Sequence, residues 1–283
     1  MYVFIQRIHR LVENKLFSVL IANYNNGHFI GSCLDSLLRQ CYDSIEVVIV
    51  DDCSRDNSLS VIESYKDKFK NFVFIVNDKN RGAGYTKKRC IDHASGYVCG
   101  FIDPDDALEK NAITMMMNQH NIYPKASLIY STNYECDAQL KVLSKNTWIK
   151  QQPTDTPAYR KTFIGHFATF KTHMYQQTAG MNPLFRRAVD HDLYYLMADV
   201  GEVVFIDQPL YYYRNHSGGI SLKGNQYKAE YWDWIVKSHH AQKHGEHLEQ
   251  EYDQVMRTRL SADGLVGRFL IKFYQLYKSI FHK

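Results

Sequence analysis

Apolar residues fall in short unbroken runs along the first half of the chain. Phe17 to Ala22, Glu46 to Val50, Phe72 to Val76 and Tyr97 to Ile102 each read as a strand covered on both faces, because β-branched residues dominate and polar alternation is missing. Between them the apolar positions take helical spacing: Ile30, Leu34, Leu37 and Leu38, then a segment over 58–69, then one over 84–94. Continuous apolar strands separated by helices predict an α/β fold with a mostly parallel sheet flanked by helices. The stretch 140–162 breaks this rhythm. It is polar, carries Pro153 and Pro157, and reads as a loop. Patterning returns with a strand at Val203 to Ile206, and from about residue 226 the tail reads as a helical C-terminal extension. The expected organisation is an N-terminal extension over 1–16, a catalytic domain over 17–222 with halves 17–133 and 134–222, and the helical extension over 223–283.

The chain has 283 residues, enough for one large α/β domain with an appendage. Its net charge of +4 is too mild for a nucleic-acid protein, which concentrates basic charge far more strongly. The six cysteines form no C-x-x-C pair, which argues for buried thiols over a disulfide framework or a zinc site. The first residues lack a basic region ahead of a long apolar run, and no apolar run approaches 18 residues. The expected setting is therefore the cytoplasm.

In open parallel sheets ligands bind at the carboxyl ends of the strands. Three of those ends here carry suggestive side chains: Tyr24 and Asn25, then Asp51 and Asp52, then Asp103, Asp105 and Asp106. A dinucleotide site would need G-x-G-x-x-G after the first strand, so that backbone can approach a pyrophosphate. The chain has Asn23-Tyr24-Asn25-Asn26-Gly27 there. Without a glycine cradle a diphosphate needs another counter-charge, and a divalent cation held by carboxylate oxygens supplies one. A nucleotidyltransferase would share that logic but needs a Gly-rich basic loop after the first strand, which the sequence lacks.

Five segments in order then carry a resemblance: Ser18 to Asn25, Val50-Asp51-Asp52-Cys53-Ser54-Arg55-Asp56, Asn80-Arg81-Gly82, Phe101-Ile102-Asp103-Pro104-Asp105-Asp106, and Asp190-His191-Asp192-Leu193 followed by Leu210 to His216. Together they resemble the family-2 inverting glycosyltransferases with the GT-A fold, of the bacterial cell-surface polysaccharide type, over about 17–222. The resemblance implies transfer of a sugar from a nucleotide-diphosphate donor, UDP being favoured, to a hydroxyl of a glycan or lipid-linked acceptor. It implies Mn2+ or Mg2+ as cofactor. By position, Tyr24 would pack on the base, with Ala22 at a variable neighbouring position. Asp52 would hydrogen-bond the uracil and Asp51 would support the turn. Asp105 would contact the ribose or sugar, and Asp103 would either support the site from behind or contact the sugar; apart from the resemblance, Arg81 and Arg89 are candidates to touch the diphosphate, beside the plainer reading of exposed helix arginines. Asp106 would coordinate the metal, with His216 as a further ligand. Asp190 would be the catalytic base. Family members often carry Glu where this chain has Val189, which leaves Asp192 as the alternative base; its place in the first turn of a helix favours Asp190.

Two other readings stay open. The same fold could serve as a non-catalytic nucleotide- or glycan-binding module. The segment 267–283 has a polar stripe of Arg268, Lys272, Gln275 and Ser279 in an otherwise apolar helix. Such a helix suits peripheral contact with the inner face of the cell membrane, or contact with its own domain or another subunit.

Overall fold

A computed structural model of the chain describes residues 15–216, 226–248 and 251. The expected 1–16 extension and the amphipathic segment 267–283 lie almost wholly outside these residues. The described residues divide into two compact units, the boundary falling between Val236 and Lys237.

Four strands build the first half of the sheet. They are β1 (Phe17–Asn23), β2 (Ile45–Asp51), β3 (Asn71–Val76) and β4 (Val98–Phe101), in spatial order β3-β2-β1-β4 and all parallel. Val19, Leu20 and Ile21 in β1 and Val47 to Val50 in β2 are fully buried. Burying each such side chain stabilises the fold by roughly 1.5–3 kcal/mol before chain entropy is charged against it. Helices α1 (Ile30–Leu38), α2 (Ser58–Glu63) and α3 (Ala83–Asp92) connect these strands. Helix α2 is shorter than the pattern over 58–69 predicts. It ends at Glu63, and a single 3-10 turn at Lys66–Lys68 follows, where the charged run Lys66-Asp67-Lys68 offers nothing to bury.

The second half extends the same sheet in mixed directions. It contains β5 (Ala107–Leu108), α4 (Ala112–Ile122), β6 (Ala126–Cys136), β7 (Val142–Lys145), β8 (Ala168–Lys171), α5 (Thr172–Tyr175), α6 (Val189–Ala198), β9 (Glu202–Arg214) and α7 (Gln226–Lys243). Strand β8 pairs antiparallel with both β4 and β6, β6 pairs parallel with β9, and β5 lies antiparallel on β9. The full sheet is α/β, with the expected parallel run confined to β1–β4. The segment 140–162, read as a loop, contains β7. All four of its residues are exposed, so no hydrophobic pattern marks it. Strand β9 runs well past the expected 203–206, to Arg214, and absorbs Pro209 where its register with β6 slips. Proline has no ladder donor, and a slip in register is where a strand tolerates it. Among the described residues no helix is long and apolar enough to cross a membrane. All six cysteines are free thiols, and four of them are buried.

Candidate active site

The parallel register sets Asn23, the last residue of β1, beside Asp51, the last of β2. The Asn23 amide donates to Asp51 Oδ2 at 2.7 Å, and the Ser54 backbone N–H and hydroxyl each donate to the same carboxylate at 2.7 Å. Asp51 is fully buried and holds the turn after β2. Asp52 is also buried, at 3% exposure. Its Oδ1 accepts from the Asn77 amide and the Arg81 N–H, both at 2.7 Å, and its Oδ2 accepts from the Gly82 N–H at 2.8 Å. Asp52 therefore fixes the loop from Asn77 to Gly82 with the oxygens that the family resemblance would give to a uracil ring. The Arg81 guanidinium turns to Asp78, 3.0 Å away. Ala22 is half-buried and Tyr24 is exposed.

The acidic turn follows β4 and is clamped by β9. Asp106 is buried; its Oδ2 accepts from the Tyr211 hydroxyl and its Oδ1 from the Arg214 N–H, both at 2.7 Å. The Tyr211 oxygen in turn accepts from the Asp103 N–H at 3.1 Å. The Arg214 guanidinium donates to the carbonyl oxygen of Asp105, to Ala138 O at 2.6 Å and to Ser32 Oγ at 2.8 Å. Asp105 meets His216, with Nε2 and Oδ2 2.9 Å apart. Burial, reinforced by the neighbouring Asp105 and Asp103 charges, pushes the Asp106 carboxyl well above the usual range. Burial and the Asp103 charge raise Asp105 as well, against the opposing pull of His216. Three carboxyl groups are thus brought together with Lys87, Arg214 and His216 around them, and burial with mutual repulsion still raises Asp105 and Asp106, the condition a divalent ion relieves. Among the described residues no three His, Cys, Asp or Glu side chains group to hold a metal alone. Two side-chain ligands suit an ion completed by diphosphate and water, as magnesium-type sites often are. Asp106, expected as the metal ligand, accepts one protein hydrogen bond on each oxygen, and Asp105 and His216 face each other beside it.

A buried lysine joins this turn to the start of α6. Lys87 Nζ lies 2.5 Å from Asp190 Oδ1 and 3.2 Å from Asp103 Oδ1. Burial alone would raise the Asp190 carboxyl; Lys87, with His166 and His191, outweighs it and lowers the pKa to about 2. The same pairing raises Lys87 despite its burial. Gly84 makes the approach of α3 to the loop before α6 feasible. A Cβ there would sit 2.4 Å from Phe185 O, and the Gly84 N–H donates to that oxygen at 3.0 Å. Asp192, the alternative base, is buried and accepts from the Asn182 N–H at 2.7 Å. Asp190, at 27% side-chain exposure, opens into a cavity of about 550 Å³.

Four residues of this region carry no role on sequence grounds: Lys87, His166, Glu135 and Trp148. Lys87 had a signal, since it shares a helical face with Gly84 and Ile91, and a lysine on a buried face needs a carboxylate partner. His166 stacks on Tyr211 at 5.3 Å and lies 3.8 Å from Asp103, neighbours that only the fold supplies.

A parallel half-sheet ending in carboxylates, clamped by a later strand that ends in an Arg with a His two residues beyond, matches a GT-A-type α/β domain. The family model "Glycosyl transferase family 2" matches residues 18–189, more than half of the chain, and the chain belongs to that family. It is 28% identical over 210 residues to chondroitin synthase of Escherichia coli, a match covering 74% of this chain and 30% of that protein. The chain therefore spans less than a third of the length of that relative. Among solved structures, S. aureus TarS 1–349 in complex with UDP-GlcNAc superposes with a TM-score of 0.63 at 18% identity, over 78% of this chain and 65% of that one. The mannosyltransferase PcManGT of Pyrobaculum calidifontis, in complex with GDP-Man and Mn2+, gives a TM-score of 0.51 at 12% identity, over 98% of this chain and 87% of that one. Both likenesses bear on the fold.

Proposed function

We propose that the protein is an inverting glycosyltransferase that moves a sugar from a UDP-linked donor to a hydroxyl of a glycan or lipid-linked acceptor, with Asp190 as the base. The observation that carries this reading is the Lys87 bridge, which ties a carboxylate facing a cavity to the acidic turn at the donor side. One group at the seam between donor and acceptor can accept a proton, and it sits against a charge network that can hold a diphosphate. The halves 17–133 and 134–222 then serve donor and acceptor respectively. The complexes named above, TarS with UDP-GlcNAc and PcManGT with GDP-Man and Mn2+, support a nucleotide-sugar donor and a divalent ion.

On this reading Tyr24 stacks on the base beside Ala22. Asp51 and Asp52 shape the nucleotide pocket by fixing Ser54 and the loop 77–82, and Arg81 adds positive charge at its edge. Asp105 and His216 hold Mn2+ or Mg2+, and Asp106 anchors their turn to β9. The bound ion would neutralise charge growing on the departing diphosphate. Lys87 keeps Asp190 ionised throughout the neutral range while lowering its basicity, and because Lys87 engages Oδ1, Oδ2 is the oxygen that takes the proton of the attacking hydroxyl. Attack from the face opposite the leaving group inverts the anomeric centre, and no covalent enzyme intermediate is needed. The test is UDP release from a panel of UDP-sugars with and without Mn2+. Metal-dependent turnover with one donor is expected; UDP binding without turnover of any donor would leave only a nucleotide-binding module.

A further inference from the structure

The cavity beside Asp190 is in the size range of a small-molecule site and far larger than proton transfer alone needs. One wall holds Glu135, gripped by three amides. Its Oε1 accepts from Asn146 Nδ2 at 2.7 Å and Asn133 Nδ2 at 3.1 Å, and its Oε2 from Asn215 Nδ2 at 3.1 Å. All three donors are neutral, so they orient the carboxylate without cancelling its charge. Asn146 also braces the neighbouring loop, because its Oδ1 accepts from the backbone N–H groups of Trp148 and Ile149 at 3.0 Å. One side chain thus fixes both the carboxylate and the loop that carries the indole. Trp148 lines the cavity yet stays 51% exposed, an apolar face left open at a rim. That loop rests on bare backbone, since a Cβ on Gly165 would lie 2.4 Å from Ile149 Cδ1 and 3.3 Å from the indole Cη2.

Carboxylates outnumber basic side chains around the cavity. Glu135, Asp190, Glu230 and Asp233 face it with only His166 and His191 beside them, and no lysine or arginine is among its lining residues. Lys87 offsets Asp190, and His191 Nδ1, facing a carboxylate that can only accept, donates to Asp233 at 2.6 Å. Glu135 has only neutral amide donors on it. A uronate or phosphate entering here would meet a like charge and no counter-ion.

We propose that this cavity binds the acceptor as an uncharged sugar, one ring face on Trp148, hydroxyls donating to Glu135 and the attacking hydroxyl at Asp190. A flat apolar face beside an oriented carboxylate that has neutral donors and no cation on it matches the amphipathic surface of a pyranose. Acceptors that carry a carboxylate or phosphate on that ring are excluded. This rests on the transferase reading above.

The experiment uses the full chain saturated with UDP and Mn2+ and ligand-observed NMR titrations of cellobiose, lactose and N,N′-diacetylchitobiose, with cellobiouronate as the anionic probe. At least one neutral disaccharide binds, and cellobiouronate binds about tenfold or more weakly than the best of them. Trp148→Ala and Glu135→Gln each weaken that neutral sugar by about tenfold, Trp148→Phe restores most of the loss, and all three keep UDP affinity within about twofold. Glu135→Lys turns the preference toward cellobiouronate. Equal or tighter binding of cellobiouronate to the parent chain, or failure of every neutral probe while UDP still binds, overturns the proposal. Failure to bind UDP at all would instead overturn the transferase reading on which it rests.

Discussion

The proposed donor side and the proposed acceptor side of this molecule use the same side chain, a carboxylate, for opposite ends. On the donor side Asp51, Asp52 and Asp106 are buried and each gives both oxygens to protein donors at 2.7–2.8 Å. On the acceptor side Asp190 and Glu135 line a cavity, oriented by Lys87 or by amides yet open to a ligand. Burial, and not the number of donors, separates the two groups: Glu135 takes three amide donors and still lines the cavity, while Asp106 takes two and is closed off. The residue type alone does not separate them.

The largest effect expected from that contrast falls on Asp190. Asp190→Asn removes the proposed base without changing shape, and general-base catalysis is worth about 10²–10⁴-fold in rate. Steady-state kinetics should show kcat down by roughly a thousandfold with UDP affinity changed less than about twofold. Asp192→Asn should do the reverse: a lower melting temperature, from loss of a buried acceptor for the Asn182 N–H, with most of the rate retained. Full activity in Asp190→Asn would remove the distinction between the two sides.

The next effect separates Asp105 from Asp106. A ligand present at a hundred times its Kd stabilises a protein by about 2.7 kcal/mol. UDP with Mn2+ at such an excess should raise the melting temperature of the parent chain, and Asp105→Asn should abolish the part that depends on Mn2+. Asp106→Asn should keep the Mn2+ dependence while starting from lower stability, by about 1–3 kcal/mol, because the single amide oxygen leaves one of the two donors, the Tyr211 hydroxyl or the Arg214 N–H, facing an NH2 group. The opposite pattern, dependence lost only in Asp106→Asn, would return the metal to Asp106.

Why the two sides differed in legibility comes from the same physics. Strands β1–β4 are covered on both faces, so their apolar runs stand out in the sequence, and a parallel sheet gathers the residues after each run on one edge. Tyr24, Asp51, Asp52 and Asp103 to Asp106 were readable for that reason. Division of labour within the acidic turn was not, because it depends on Tyr211 and Arg214, more than a hundred residues away. Glu135 and Trp148 were not readable at all. Glu135 takes its meaning from Asn146 and Asn215, and Trp148 sits in a stretch whose only strand, β7, is exposed at every residue.

A smaller effect is expected at Tyr24, the exposed aromatic of the donor edge. Stacking of a base on an aromatic ring is worth about 1–3 kcal/mol by alanine substitution, so Tyr24→Ala should weaken UDP binding by roughly five- to a hundredfold. Calorimetry with UDP and with inorganic diphosphate separates base from phosphate contacts. Only UDP should lose affinity, and equal losses for both would place Tyr24 at the phosphates.

The smallest expected effect is none, and it tests the bridge between the two sides. Asp190 is an acid whose folded-state pKa, about 2, lies below its ordinary value of 3.8. Its stabilising contribution is therefore present above pH 3.8 and lost only as pH falls through about 2, and is worth on the order of 2 kcal/mol at neutral pH. At saturating Mn2+ the profile of kcat/KM should accordingly show no acid limb from Asp190 between about pH 5 and 8. Lys87→Met changes that. With the ammonium gone, burial, the largest influence on Asp190, pushes the carboxyl upward against the remaining pull of His166 and His191. An acid limb should then move up toward the assay window, and removing one partner of so buried a pair should cost about 3–5 kcal/mol of stability. A profile that is flat in both proteins would mean that Lys87 does not govern the charge of Asp190, and that the two sides are joined in space alone.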